Sequence, residues 1–410
     1  MYASGNAQLR YFASTYGDTL LPALFAHRED KLGGLVKIHD FQSAFRDVAG
    51  TSFKAFTDDW RRHMAIYYHT LAGGMQRLDS LGTTPDTLGG PYVQSVLDSP
   101  DGRLTAVVSI VSNDQPFQRL EVFAKRAERP AMSDSAQANP SSKLDPPTTR
   151  YTSRITIAEG SFNPVLAWSP DSRHLHWSAT GRARDGSLVH DLYRAELRPE
   201  TRIKRSPPLF GQADTLTRFY VGRTEALTRG RRAVHPQVTP DGKGLYFVAN
   251  DRGTGNIHHL DLATRTERPV TRHQGDVQIG RIALHPAGTH LAYARFDAEG
   301  GRTLVIRDLR DPLDPQSPSA PLPQPLERIL TDPAVDDRDP VWSPDGTRLA
   351  FTSMRDGVPN VWLIDPFTPG AASERITAQF TGASLLQWTQ TGELILLAAD
   401  SKTRDRIYRV

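Results

Sequence analysis

Asp339-Pro340-Val341-Trp342-Ser343-Pro344-Asp345-Gly346-Thr347-Arg348-Leu349-Ala350-Phe351-Thr352-Ser353 is the stretch on which the reading of the fold turns. Pro344 presets φ for the second position of a type I turn and Gly346 takes the left-handed position that follows, so Ser343 to Gly346 joins two antiparallel strands. A polar loop with Arg355-Asp356-Gly357 and the apolar run Val361 to Ile364 come next. The turn signal recurs at Ser99-Pro100-Asp101-Gly102, Ser169-Pro170-Asp171-Ser172, Thr239-Pro240-Asp241-Gly242, His285-Pro286-Ala287-Gly288 and Thr389-Gln390-Thr391-Gly392, which makes six copies. A strand-like run follows each turn, and a fourth candidate strand precedes most of them: Arg154 to Ile157, Ala226 to Thr228, Arg268 to Thr271, Arg328 to Thr331 and Arg375 to Thr377. Four short antiparallel strands per unit of roughly 45 residues is the pattern of a propeller blade. The expected fold is mainly β, a six-bladed β-propeller over residues 75–410 with a small α-helical segment before it.

The uneven spacing of the turns predicts insertions, of which 127–150 and the Pro-rich 311–326 are the plainest. The last copy ends at Ile407 to Val410, a third strand with no fourth after it, while Gln76 to Ser80 resembles a fourth strand that has no blade of its own. Residues 75–81 are therefore expected to complete the last blade and close the ring, which removes two exposed sheet edges.

Composition agrees. The chain has 410 residues, more than one ordinary core absorbs, and it carries 31 Gly and 30 Pro, a surplus suited to many tight turns. With 38% hydrophobic and 23% charged residues and a mean hydropathy of −0.46, no run approaches a membrane span, so a chain that does not span a membrane is expected. There is no Cys, which excludes disulfide scaffolds, Cys-ligated zinc and thiol nucleophiles. A formal charge of +3 spread along the chain gives no stripe for nucleic acid, and no nucleic-acid partner is expected.

The motif Asp-x-x-Pro-x-Trp-Ser-Pro-Asp-Gly, an apolar strand, Ser-x-Arg-x-Gly and a Trp or Tyr strand resembles the repeat of TolB-like propellers. Residues 336–365 match it closely apart from the Asp-to-Pro interval, 235–261 match it well, and the copies at 99 and 389 are degenerate. The resemblance implies the fold, a bacterial cell-envelope setting and a periplasmic or extracellular location. The start Met1-Tyr2-Ala3-Ser4 carries no legible secretion signal.

Residues 1–72 read differently. Leu9, Phe12, Ala13 and Tyr16 have helical spacing ended by Gly17; Leu20 to Ala26 suits a second helix; Asp40 can cap a third that Gly50 stops; Ser52 can cap a fourth running towards Tyr68. The wording Arg10 to Gly17, Phe41 to Gly50 and Ser52 to Trp60 resembles the helical tail of gluzincin-type, MA-like zinc metallopeptidases, in which a TolB-like propeller can follow the peptidase. That family holds zinc with His-Glu-x-x-His and a later Glu. The motif is absent here, so nothing catalytic carries over, no cofactor is expected in this chain, and zinc enters only with an upstream peptidase domain. The chain is expected to be the C-terminal part of a longer protein.

Other constellations are weighed against plainer readings. Gly-x-Ser-x-Gly is absent, which argues against a serine hydrolase. Asp332, Asp336, Asp337 and Asp339 offer oxygens for calcium but read better as turn residues. Trp168, Trp342 and Trp388 share one repeat position with Val238 and Leu284, so they read as packing between blades, and His235 and His285 as structural. What remains is the face formed by loops between second and third strands and by blade-to-blade loops, around the mouth of the central channel. Arg231, Arg232, Arg281, Arg338, Asp337, Asp251, Arg355 and Asp356 are the candidate binding residues on it, with no catalytic residue and no metal ligand. The leading expectation is a monomeric, non-catalytic recognition propeller for a polypeptide or other polymer. The alternative is the substrate-docking propeller of a zinc metallopeptidase whose catalytic part lies upstream.

Overall fold

The computed structural model describes residues 2–31, 36–38, 40–76, 81–82, 88, 92–112, 117–125, 151–204, 214–296, 301–309, 327–399 and 405–410. Two compact units divide the chain, Met1–Met75 and Gln76–Val410.

The first unit holds α1 (Tyr2–Tyr16), α2 (Leu20–Ala26), α3 (Phe41–Ala49) and α4 (Phe53–Gly73). The caps are those expected: the Asp40 carboxylate accepts from Gln42 N–H, Gly50 ends α3 at φ 68°, and Ser52 Oγ accepts from Ala55 N–H. α1 starts earlier and α4 runs further than the apolar spacing indicates, and a short antiparallel pair, β1 (Glu29–Lys31) with β2 (Val36–Ile38), lies where only helix was expected. Phe12, Leu24, Ala44, Phe45 and Phe56 form the core, with Phe12 edge-on to Phe45 at 5.4 Å.

The second unit is a six-bladed β-propeller. Its blades are β3 (Tyr92–Asp98) to β6 (Tyr151–Gly160), with β4 (Leu104–Ile110) and β5 (Gln118–Lys125) between; β7 (Phe162–Trp168), β8 (His174–Arg182), β9 (Leu188–Lys204) and β10 (Asp214–Ala226); and β11 (Ala233–Val238), β12 (Gly244–Asp251), β13 (Thr254–Asp261) and β14 (Glu267–Pro269). The fourth and fifth are β15 (Gln278–Leu284), β16 (His290–Phe296), β17 (Thr303–Asp308) and β18 (Glu327–Ile329), then β19 (Asp337–Trp342), β20 (Leu349–Ser353), β21 (Asn360–Ile364) and β22 (Glu374–Arg375). The sixth shows β23 (Ala383–Trp388), β24 (Leu394–Ala399) and β25 (Asp405–Arg409). Residues 77–80, expected to complete it, and the insertions 127–150 and 311–326 lie outside the described residues. The wide gap before Pro240 is filled by the long β9–β10 hairpin, paired from Asp214 with Lys204 to Ala226 with Tyr193.

Three recurrent devices build the ring. In the first, the turn residue ahead of Pro clasps the Asp after it: Ser343 Oγ donates to Asp345 Oδ1 at 2.6 Å and accepts from Arg348 N–H at 2.9 Å, with counterparts at Ser99 and Thr239. In the second, an Asp or Asn on the third strand receives the Thr that follows the fourth strand and begins the segment to the next blade. Asn360 Oδ1 accepts from Thr377 Oγ1 at 2.9 Å and Gln379 N–H at 2.8 Å, Asn256 does the same for Thr271 and His273, and Asp191 for Thr228 and Arg231. All three acceptors are buried, where a satisfied polar group is worth keeping and an orphaned one costs about 1–3 kcal/mol.

The third device staples neighbouring blades. Trp168 Nε1 donates to the Leu97 carbonyl and Trp342 Nε1 to that of Ala283, both at 3.1 Å and both from buried rings, as the packing reading of these tryptophans expects. Trp388 differs: its Nε1 turns back to the Gly392 carbonyl of its own turn. His285 Nε2 meets the Gly346 carbonyl at 3.1 Å, and a Cβ at Gly346 (φ 74°) would stand 2.2 Å from that ring, so glycine serves both the turn and the blade contact. Last blade meets first through Gln387, whose Oε1 accepts from Asp98 N–H at 2.8 Å, and through Arg409, which reaches the buried Asp98 carboxylate at 2.8 Å.

Candidate functional site

The innermost strand of every blade breaks register shortly before its turn. The shifts lie at Val93/Ser95, Asn163/Ala167, Val234/Gln237, Ile279/Ile282, Arg338/Val341 and Leu385/Gln387. A bulge turns its extra residue out of the ladder, and on an innermost strand that direction is the channel. His235 (φ 57°) and Asp339 (φ 54°) adopt the left-handed backbone to do so. Counted back from the turn, His235, Arg281 and Asp339 occupy the same repeat position in three successive blades.

His235 and Arg281 tie blades together. His235 Nδ1 meets the Gly280 carbonyl at 2.7 Å, and its Nε2 meets Asn163 Nδ2 at 3.2 Å, so one imidazole joins three blades. Burial, with Arg281 adding to it, pulls the His235 pKa down to about 4 against the opposing bond to Gly280. Arg281 reaches past the fifth blade and donates from Nη2 to the Leu386 carbonyl of the sixth at 2.8 Å.

Blades two to four line an open cleft of about 450 Å³, in the size range of ligand pockets. Leu188 and His190 from the start of β9, Arg232 just before β11, Asn250 of β12 and Gln278 at the start of β15 are among its walls. The loop that presents Leu188 is ordered by the Asp185 carboxylate, which accepts from Ser187 N–H at 3.0 Å and Ser187 Oγ at 2.7 Å. On the other wall Gln278 Nε2 donates to the Gly253 carbonyl at 2.7 Å, and Gly253 N–H donates to Asn250 Oδ1 at 2.9 Å. Gly255 lets blades three and four close there, since a Cβ would sit 3.0 Å from Ile279 N. Leu188 is 68% exposed at the rim, and burial holds His190 below the usual imidazole pKa, with Asp191 opposing. The result is a pocket with an apolar lip at Leu188, an imidazole at His190 and a guanidinium at Arg232.

The residues singled out from the sequence divide. Arg232 lines the cavity and Arg281 lies in the channel. Arg231 is bound to Glu267 at 2.7 Å, a carboxylate that His258 also holds at 2.9 Å; burial raises the Glu267 pKa, but those bonds outweigh it and bring it to about 2. Asp337 is fully buried against Arg355 at 3.1 Å, and Arg355 lies over the Trp362 ring at 4.3 Å, so that pair braces the fifth blade. Arg338 Nε sits 3.8 Å from Asp339, Asp356 pairs with Arg375 at 3.2 Å, and Asp251 ends β12 opposite Thr254. Asp332 Oδ1 accepts from Ala334 N–H at 2.9 Å, as a turn residue does. The sequence reading missed Asn163, Leu188, His190 and Asn250 as individual residues, while its structural reading of His235 agrees with the bonds that join it to Gly280 and Asn163. Aligning the repeats on their turns is the signal that finds His235 with Arg281 and Asp339.

No protein-family model matches the chain. A stretch of 148 residues, 36% of the chain, is 27% identical to a protein TolB homolog of Chlorobium luteolum and spans 30% of that protein's length. Among solved structures the chain is similar to the putative TolB from Agrobacterium tumefaciens, at 18% identity over 61% of this chain and 75% of that one with a TM-score of 0.43. It is also similar to TolB from Acinetobacter baumannii, at 15% identity over 78% and 65% with a TM-score of 0.44. Oligopeptidase B from Leishmania major gives 15% over 78% and 40% with a TM-score of 0.42. Among the described residues no helix is long and apolar enough to cross a membrane.

Proposed function

We propose that this propeller is a non-catalytic recognition module of the bacterial cell envelope, periplasmic or extracellular, that binds a polypeptide at the face carrying the cavity between its second, third and fourth blades. The observation that carries this reading is the cavity itself, whose walls are fixed by bonds inside the protein and whose rim shows an exposed Leu188. Rigid walls lower the ordering cost of binding, and an apolar lip beside polar groups suits a side-chain anchor. The same reading takes 75–81 as the strand that closes the last blade. Its supports are the bond from Gln76 N–H to the Ala378 carbonyl at 2.8 Å and Leu81 buried in that blade's core.

A photo-crosslinking residue at position 188, introduced into the chain in envelope-containing cells, is expected to trap a polypeptide, and Arg232→Glu to abolish the crosslink. Equal yields from position 188 and from the exposed Ile329 of the fourth blade's outer strand would refute the assignment of the face. The zinc-peptidase alternative is supported by the resemblance of residues 10–17, 41–50 and 52–60. Zinc content and chelator-sensitive proteolysis of the full gene product test it.

A further inference from the structure

Arg281 is the one cation that the repeat places at the bulge position of an innermost strand, between His235 of the third blade and Asp339 of the fifth. Its guanidinium crosses to the sixth blade but spends only Nη2 on the Leu386 carbonyl. The Nε–H is enclosed and without a hydrogen-bond partner, and no carboxylate among the described residues forms an ion pair with this side chain. Asp339 is near enough to favour its charge, yet the Asp339 carboxylate leans to Arg338 of its own strand at 3.8 Å. Enclosure lowers the Arg281 pKa from the ordinary guanidinium range, and the group stays protonated. The buried Nε–H is out of a ligand's reach, and what remains for one is the Nη edge of a permanently charged guanidinium, a pair of donors that a planar anion matches.

We propose that Arg281 is a carboxylate receptor in the central channel, taking a free carboxylate of the polypeptide that the face above recognises. The carrier rests on the recognition reading of the preceding section; the carboxylate chemistry does not. The fork matches two oxygens in one plane, which chloride cannot supply. Asp339 on the next blade repels a doubly charged phosphate more than a singly charged carboxylate. Ile279, two residues before Arg281 on β15, lines the cavity, so one strand runs from cavity to channel.

Titration calorimetry of the full chain with acetate and N-acetylglycine at constant ionic strength, with chloride, phosphate and N-acetylglycinamide as comparisons, tests the proposal. Both carboxylates are expected to bind, and the amide and chloride not to. Arg281→Gln should weaken acetate about tenfold or more, the loss of a charge-assisted pair. Asp339→Asn should tighten it several-fold, a gain that misfolding cannot imitate, and Asn accepts the left-handed φ of 54° there. Arg281→Lys, which keeps charge without the fork, should fall between and stands in if the glutamine variant does not fold. No binding of acetate, equal binding of chloride, phosphate or the amide, or an unchanged affinity in Asp339→Asn each overturns the proposal. Crosslinking at position 188 reads the face independently, so either idea can fail without the other.

Discussion

Lowering the pH from about 7 to about 5 should cost the propeller stability through His176. This residue of β8 is 1% exposed, with Nδ1 3.3 Å from the carbonyl of Ala167 on β7 and Nε2 without a partner. Burial, reinforced by Arg194 and His174, pulls its pKa from 6.5 to about 3, against smaller opposing contributions from the Ala167 bond and Asp171. The folded value lies below the unfolded one, so the fold holds the neutral ring. Above pH 6.5 neither state is protonated and nothing is lost. As pH falls below that value the unfolded chain gains the proton first, and stability drops by about 1.4 kcal/mol per pH unit until the folded pKa is reached. At pH 5 the loss is about 2 kcal/mol, a large part of the roughly 5–15 kcal/mol that holds an ordinary domain. His235 acts in the same direction, since burial brings its pKa to about 4. Urea unfolding followed by tryptophan fluorescence at the two pH values measures the loss. His176→Gln keeps a donor near Ala167 and does not titrate, so its loss between the two pH values should be smaller by about 2 kcal/mol. Equal losses in the two proteins would refute the argument.

Three further outcomes follow from the devices that build the ring. Asn360→Ala orphans Thr377 Oγ1 and Gln379 N–H inside the fifth blade and should cost about 2–4 kcal/mol in urea midpoint terms. Trp342→Phe strips the Ala283 carbonyl of its partner for about 1–2 kcal/mol, whereas Trp342→Ala adds the cavity and should cost about 3–5 kcal/mol; equal costs would mean that packing alone matters there. Asp98→Ala leaves Lys125 and Arg409 without their shared carboxylate, so about 3–5 kcal/mol should go, with amide exchange in β25 rising before that in β16.

The architecture was legible because each blade repeats its turn, and a Pro-Asp-Gly signal reports local backbone geometry directly. The helix caps Asp40, Gly50 and Ser52 were legible for the same reason. The short β1–β2 pair was not, since strands of three residues carry too little alternation to read. The long β9–β10 ribbon was hidden because its strand lengths depend on cross-strand pairing, which no local window contains. For the candidate site, charge alone could not separate cations lining the cleft from those in structural ion pairs. Arg231 and Arg355 find Glu267 and Asp337 at sequence distances that only the fold brings together. The left-handed bulges that aim His235 and Asp339 inward are likewise set by register against a neighbouring strand.

Those bulges have an evolutionary consequence. Histidine, arginine and aspartate stand four residues ahead of the turn in three successive repeats, each beside a register shift of its innermost strand. Substitution there rewrites the chemistry of the lumen while the ladder on either side keeps its hydrogen bonds. The channel lining can thus change repeat by repeat within one frame, and a designer could exchange the three residues combinatorially to retune what the ring admits.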